Sequence, residues 1–292
     1  MLKRGITFPL WKRGMEGDFK YQVYAMIRHS FRIADGIGER LERHLWQEGI
    51  LCWEDFLVTK RVKGISPDKK SVYDREISEA VEALEKKDER YFFTKLKSRE
   101  YWRLFDVLKG SAVCLDIETT GLGIEGSDIT VVGLFDGTRT RILVKGLDLT
   151  VENLLRELEG YKMIITYHGT VFDIPFLRRR FPSLNLDLPH FDLCFGSHRA
   201  GFRGGLKRLE EDLGICRTSD IKGLDGYDAV KLWIAHLRGN DGALELLMRY
   251  NEEDTKNLFS IARDIYNRLR GMSGFDRLAW QTLRNRPISE WK

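Results

Sequence analysis

The sequence predicts a mixed α/β fold, a sheet flanked by helices, preceded by a small all-helical module. Three observations predict it. Between Gly110 and about Gly271, the runs SAVCLDIETT, DITVVGLFDG and TRTRILVKG read as strands separated by glycine-containing turns. A capped helical pattern, TVENLLRELEG, and another strand-like run, MIITYHG, come next. Ahead of Gly110 and again after Gly205, apolar residues recur mainly at three and four positions, the helical spacing. A three-stranded meander, a crossover helix, a further strand and terminal helices make a mixed, mainly antiparallel sheet.

Four zones follow from this reading. Residues 1–65 hold a helical pattern centred on FRIADGIGERLERHLWQEGILCWEDFL. Residues 66–109 form a helical connector that starts where Ser66 can cap and Pro67 suits the first turn, with a break near Lys86 to Arg90. In its second half, Phe92, Leu96, Trp102, Phe105 and Leu108 read as a core face. The interleaved Lys95, Lys97, Arg99, Arg103 and Lys109 leave base stacking and backbone tracking as the other reading. Residues 110–271 carry the sheet, with Thr150 capping the crossover helix and GLKRLEEDLG, GYDAVKLWIAHLRG and DGALELLMRYNEEDTKNLFSIARDIYNRLRG as later helices. Residues 272–292 are an amphipathic tail without an assigned place.

A chain of 292 residues with 42% hydrophobic residues can bury a full core, so disorder of the whole is excluded. No apolar run reaches the roughly 20 residues that cross a bilayer. The opening MLKRGITFPLWKRG lacks the apolar stretch of a signal peptide, so a cytoplasmic protein with no membrane partner is expected. Cys52, Cys114, Cys194 and Cys216 are scattered, against a disulfide framework or a zinc knuckle, and Cys114 reads as a buried thiol. The net charge of +4 is compatible with a polyanionic partner and selects none.

Asp116 and Glu118 are two apart in a strand-like run, so both side chains face one side of the sheet. Paired carboxylates among Val113, Leu115 and Ile117 repel and resist desolvation. A divalent cation removes that cost, and oxygen ligands favour Mg²⁺ or Mn²⁺. The plainer alternative is a strand end in water. Asp173, in YHGTVFDIPFL, reads on its own as a helix cap with Pro175 in the first turn. Tyr250 and Asp254 share a helix face in RYNEEDTKNL, with a solvated acid beside a half-buried tyrosine as the plainer reading.

Taken in order, D-I-E-T-T-G-L, F-D-I-P-F-L and Y-x-x-x-D resemble the three motifs of the DEDD 3′-5′ exonucleases of the ribonuclease H-like superfamily, over roughly residues 111–268. Arg249 stands where the histidine branch carries its histidine, so the resemblance is to the tyrosine branch. Within it, the chain is similar to a prokaryotic subgroup with YN-x-E-D in the third motif and a short helical module at the N-terminus. That subgroup has Asn-Gly ahead of the second motif, where this chain has His168-Gly169. His168 is open to two readings, substrate contact or a structural histidine.

The resemblance implies a ribonuclease H-like fold, phosphodiester hydrolysis and two divalent metal ions, Mg²⁺ or Mn²⁺. Asp116 is then the shared ligand, with Glu118 and Asp254 on the nucleophile-side ion and Asp173 acting through water on the other. Two ions about 3.5–4 Å apart both prepare the nucleophile and relieve transition-state charge. Tyr250, with an ordinary pKa of about 10, is a poor free base at neutral pH and better suited to orienting water. Asp187 and Asp192 lie outside the motifs and read as structural.

Ile33 to Gly38, ahead of a helix from Glu39 to Gln47, resembles the hairpin of a helix-hairpin-helix module. Its Gly36 and Gly38 let the backbone approach a phosphate, and Arg40 and Arg43 can add salt-sensitive contacts. The other reading is a tight turn used for packing. Thr119, His168 and Arg178 are the nucleic-acid candidates next to the motifs; Arg179, Arg180, Arg203, Lys207 and Arg208 lie near them. The expected function is 3′→5′ trimming of single-stranded DNA, in repair or replication. An RNA-directed exonuclease and a catalytically silent nucleic-acid-binding module are the alternatives.

Overall fold

The computed structural model describes residues 25–284. The basic opening stretch and the last part of the expected tail lie outside the described residues. Among the described residues five strands form one sheet: β1 (Ala112–Thr119), β2 (Ile129–Phe135), β3 (Thr140–Val144), β4 (Met163–Thr166) and β5 (His190–Asp192), in the order β3-β2-β1-β4-β5. The β1–β2 and β2–β3 pairs are antiparallel, whereas β1–β4 and β4–β5 are parallel. The sheet is therefore evenly mixed rather than mainly antiparallel. The difference comes from β5, a three-residue strand too short for the period-two alternation by which strands are read.

Strand β1 lies at the centre and is buried on both faces, as its apolar run requires. Val113, Leu115 and Ile117 pack on one face with Leu154 of the crossover helix (Val151–Leu158) and with Phe176 and Leu177 of the helix Asp173–Arg180. Ala112 and Cys114, on the other face, join a cluster with Leu258, Ile261, Ala262 and Ile265. These belong to the long helix Asp241–Ser273. Asp116 and Glu118 continue the alternation of Ala112 and Cys114, so both acids face this long helix. Parallel pairing with β4 ends at Cys114↔Ile165, while pairing with β2 continues to Thr119. The carboxyl end of β1 is thus open on one edge, at the place where the sheet changes from antiparallel to parallel neighbours. Open α/β sheets favour ligands at such a point.

Among the described residues the α-helices are, in chain order, α1 (Glu39–Gln47), α2 (Trp53–Val58), α3 (Pro67–Glu85), α4 (Glu89–Lys95), α5 (Phe105–Leu108), α6 (Val151–Leu158), α7 (Asp173–Arg180), α8 (Leu193–Arg199), α9 (Leu206–Leu213), α10 (Gly226–Leu237), α11 (Asp241–Ser273) and α12 (Phe275–Arg284). Ser66 accepts a hydrogen bond from the Lys69 amide at the start of α3, with Pro67 in its first turn, as the sequence predicts. The break is also where expected: α3 ends at Glu85, and Asp88 caps α4 by accepting from the Tyr91 amide at 3.0 Å. Phe92, Leu96, Trp102, Phe105 and Leu108 are all buried, although Ser98–Leu104 is 3₁₀ rather than α.

The hairpin differs from its expectation in its first half. Gly36 has φ +85° and α1 begins at Glu39, but Met26–His29 and Phe31–Ile33 are two 3₁₀ turns. The carbonyls of His29 and Ser30 accept from the Trp46 and Trp53 indoles at 2.9 and 2.8 Å, and the Phe31 amide donates to Glu42. Those groups are withdrawn from an α-helical ladder. One apolar cluster runs from Met26 through α3 and α11 to Ala279 of α12, so the N-terminal helices share a core with the sheet. The start of the unassigned tail is part of it: Phe275 is buried and stacks on His29 with centroids 4.1 Å apart. Among the described residues all four cysteines are free, Cys114 is buried, and no helix is long and apolar enough to cross a membrane.

Gly133 is the register partner of Asp116 and lies directly under Asn251 and Thr255 of α11. A Cβ there would collide with Asn251 Oδ1 and Thr255 Oγ1. Both are wholly buried, so the helix has to shift to admit a methyl group. Gly133→Ala is expected to cost about 1–3 kcal/mol, the usual range for overpacking. Chemical denaturation reads the loss; an unchanged midpoint would mean that α11 can yield at no cost.

Candidate metal centre

The site is assembled by β1, α7 and α11. One carboxylate oxygen from each of Asp116, Glu118 and Asp254 lies within 4.8 Å of the others. Strand periodicity places the first two. Asp254 comes from α11, whose Leu247, Tyr250, Leu258 and Ile261 are buried at spacings of three and four, which turns Asp254 inward with them. Asn251, on the same helix, donates from Nδ2 to Asp116 Oδ2 at 2.8 Å and to Glu118 Oε1 at 3.4 Å. It holds the two strand acids in one orientation.

Asp173 is beside this cluster and outside the three-acid group. It does not cap α7 through its side chain, the reading its residues alone allow. Its Oδ1 accepts from the Ile117 amide at 3.1 Å, past the point where β4 has stopped pairing. The acid therefore replaces a missing ladder partner and is fixed next to Asp116. Tyr250 is buried, and its hydroxyl hydrogen-bonds to Asp254. Burial and the surrounding acids push its pKa well above 10, so the phenol stays protonated and acts as a donor.

Burial, followed by the charges of Glu118, Asp173 and Asp254, raises the Asp116 pKa well above the ordinary range. Glu118 is raised by burial and by Asp254. Burial carries Asp173 from 3.8 to about 7, against the amides that favour its anion. Burial likewise carries Asp254 from 3.8 to about 6, with Arg217 pulling the other way. Between about pH 4 and 7 the metal-free native state thus holds more protons than the unfolded chain, and this contribution to stability falls as pH rises. His190 contributes with the opposite sign between about 4 and 6.5, because burial lowers its pKa to about 4. The acids' share is therefore the difference between melting curves in chelator and in saturating Mg²⁺. We expect that difference to widen steadily from pH 5 to 7.5; a gap independent of pH would contradict it.

Two further residues complete the site, and nothing in their spacing singles them out. Arg217, in the loop after α9, has its side chain only 7% exposed, with Nη2 2.5 Å from Asp254 Oδ1 and Nε 2.6 Å from Glu210 Oε2. Glu210, itself buried, also accepts from Asn257 Nδ2 at 2.9 Å. Asn251 does have a sequence trace, as the residue after Tyr250 in the third motif, but its bridging of two strand acids is a tertiary contact.

The other candidates are tied to local partners. Thr119 donates to the Gly121 carbonyl at 2.6 Å, and Arg178 pairs with Asp187 at 2.8 Å. Arg43 pairs with Glu39 at 3.2 Å, and Arg40 is exposed on the same helix. Gly36 and Gly38 sit in the hairpin packed on α3, where the Asp35 amide donates to Glu76 at 3.1 Å. His168 has φ +67°, a left-handed conformation in which Asn is common and His less so. Asp192 holds that turn, accepting from the amides of His168 and Thr170 at 2.9 Å and capping α8.

The fold and the cluster together define an α/β domain with a carboxylate centre on its central strand. Three anionic oxygen donors with their atoms this close suit a divalent cation. The donor set of three clustered carboxylates fits such an ion, with Arg217 Nη2 already 2.5 Å from Asp254 Oδ1. The sequence profile of the RNase_H superfamily matches residues 113–266, more than half of the 292-residue chain, and the chain belongs to that superfamily. A solved structure described as "apo form of the nuclease" is 22% identical, covers 61% of this chain and 88% of its own, and has a TM-score of 0.41. No curated protein matches the chain.

Proposed function

We propose that this protein is a metal-dependent 3′→5′ exonuclease acting on single-stranded DNA. The observation that carries the reading is the convergence of Asp116, Glu118 and Asp254 within 4.8 Å at the open carboxyl end of the central strand. The order of the three motifs supports exonucleolytic chemistry of the tyrosine branch. Bound divalent cations, Mg²⁺ or Mn²⁺ and two in number, supply a nucleophile from water and relieve charge on the transferred phosphoryl group. Asp116, Glu118 and Asp254 would hold them, with Asp173 at the edge of the site. Asn251 keeps the strand acids aligned. Tyr250 donates its hydroxyl proton toward Asp254 and orients without titrating.

One contact favours a second reading, a catalytically silent nucleic-acid-binding module. Arg217 already neutralises Asp254, as a permanent counter-ion would. The two readings separate on 5′-labelled and 3′-labelled DNA and RNA with Mg²⁺ or Mn²⁺. The exonuclease reading expects a ladder of shortened 5′-labelled DNA and early release of the 3′ label. Binding with no metal-dependent cleavage of either polymer would sink it, and preferential shortening of RNA would reassign the substrate.

A further inference from the structure

A cavity of about 410 Å³ opens among α1, the 3₁₀ stretch Ser98–Leu104, the end of α8 and the last turns of α11. Leu269 of α11 lines it, 15 residues beyond Asp254, roughly 22 Å along the helix at 1.5 Å per residue. It is a separate place from the acid cluster.

Its charges do not balance. Among the described lining residues, Arg32, Arg43, Arg99, Arg103 and Arg199 face Glu39, Glu42 and Glu100, five cations against three anions. Glu39 is taken by Arg43. Glu100, which is 3% exposed, is shared by all four remaining guanidiniums. Its Oε1 is 3.4 Å from Arg32, 3.4 Å from Arg99 and 3.9 Å from Arg199, and its Oε2 is 2.7 Å from Arg103. Glu42 adds one bond to Arg103, at 3.0 Å, and spends its other oxygen on Ser30 and Phe31. Two positive charges are left over in a half-enclosed space. Two buried donors of the lining, Arg103 Nη1 and Trp102 Nε1, have no hydrogen-bond acceptor among the described residues. Burial pulls the Arg199 pKa below its ordinary value, and the Arg103, Arg99 and Arg32 charges add to this against Glu100.

We propose that this cavity is a phosphate-binding site that holds the terminal phosphate of a nucleic-acid strand. Arg99 and Arg199 stand at its mouth, and Arg32 and Arg103 form its floor. A terminal phosphate monoester carries about −1.5 to −2 charge at neutral pH, which matches the excess, whereas an internal phosphodiester carries half of that. Guanidinium forks suit its oxygens. With the 3′ end at the acid cluster, the terminal group is a 5′-phosphate. The strand as ligand rests on the reading of function above; the phosphate rests on the cavity alone.

The experiment is fluorescence anisotropy of the full chain in chelator, with single-stranded DNA bearing either a 5′-phosphate or a 5′-hydroxyl. Wild-type protein should prefer the phosphorylated strand by about tenfold, the usual size of a charged hydrogen-bond contribution. Arg99→Gln with Arg199→Gln, both exposed side chains, should erase the preference. Arg139→Gln with Arg141→Gln, which removes equal charge elsewhere, should keep it. Equal binding of the two strands by wild-type protein overturns the proposal and leaves the cleavage assay unaffected. Competition by inorganic phosphate or a mononucleotide as tight as the strand itself overturns the strand as ligand. A preference for the 5′-phosphate in a protein that cuts nothing keeps the site and removes the exonuclease reading.

Discussion

Asp116→Asn is expected to abolish metal-dependent shortening of labelled strands, with a loss of at least about a thousandfold, equivalent to roughly 4 kcal/mol of transition-state stabilisation. Asp116 is the acid on which the charges of Glu118, Asp173 and Asp254 converge. Removing its charge weakens cation binding at the centre of the cluster, not at its edge. The same substitution relieves repulsion when no metal is present. Its melting temperature in chelator should therefore equal or exceed that of the wild type, and its gain on adding Mn²⁺ should nearly vanish. An inactive variant that is also much less stable in chelator would point to misfolding and not to a lost ligand. Cleavage at the wild-type rate would remove Asp116 from the site.

Arg217→Gln has the second largest expected effect, and it falls on stability. Removing one partner of a buried ion pair costs about 3–5 kcal/mol, because the other charge stays buried and unpaired. Here two acids lose their counter-ion: among the described residues Glu210 keeps only Asn257, and Asp254 returns to the uncompensated cluster. Denaturation in chelator should register that loss. Added metal should restore much of it at Asp254 and none at Glu210. Since a cation beside the site opposes a second cation, the variant should also bind Mn²⁺ more tightly than wild type, which direct titration reads. Unchanged stability together with unchanged Mn²⁺ affinity would show the pair to be incidental.

Several parts of the molecule were legible from local pattern alone. The cap at Ser66, the break before α4, the long helix α11 and the central strand β1 each depend on residues adjacent or within one helical turn. The common face of Asp116 and Glu118 follows from the period of a strand, and the inward turn of Asp254 with Tyr250 from the period of a helix. The 3₁₀ turns before the hairpin were not legible, because indoles from Trp46 and Trp53 claim their carbonyls. Strand β5, three residues long, is too short to show an alternation.

What chain order and periodicity settle about this protein is therefore a set of faces: which acids share a strand side, which share a helix side, and where the elements begin. Only the tertiary structure decides which faces meet. Gly133 lets α11 close on β1, so that Asn251 reaches both strand acids. The early end of β4 leaves the Ile117 amide free to hold Asp173. The loop after α9 brings Arg217 to Asp254, 37 residues apart in the chain. Each is a contact between groups distant in sequence, and no local spacing encodes it. That is also why the charge excess around Glu100, gathered from four separate segments, cannot be read along the chain.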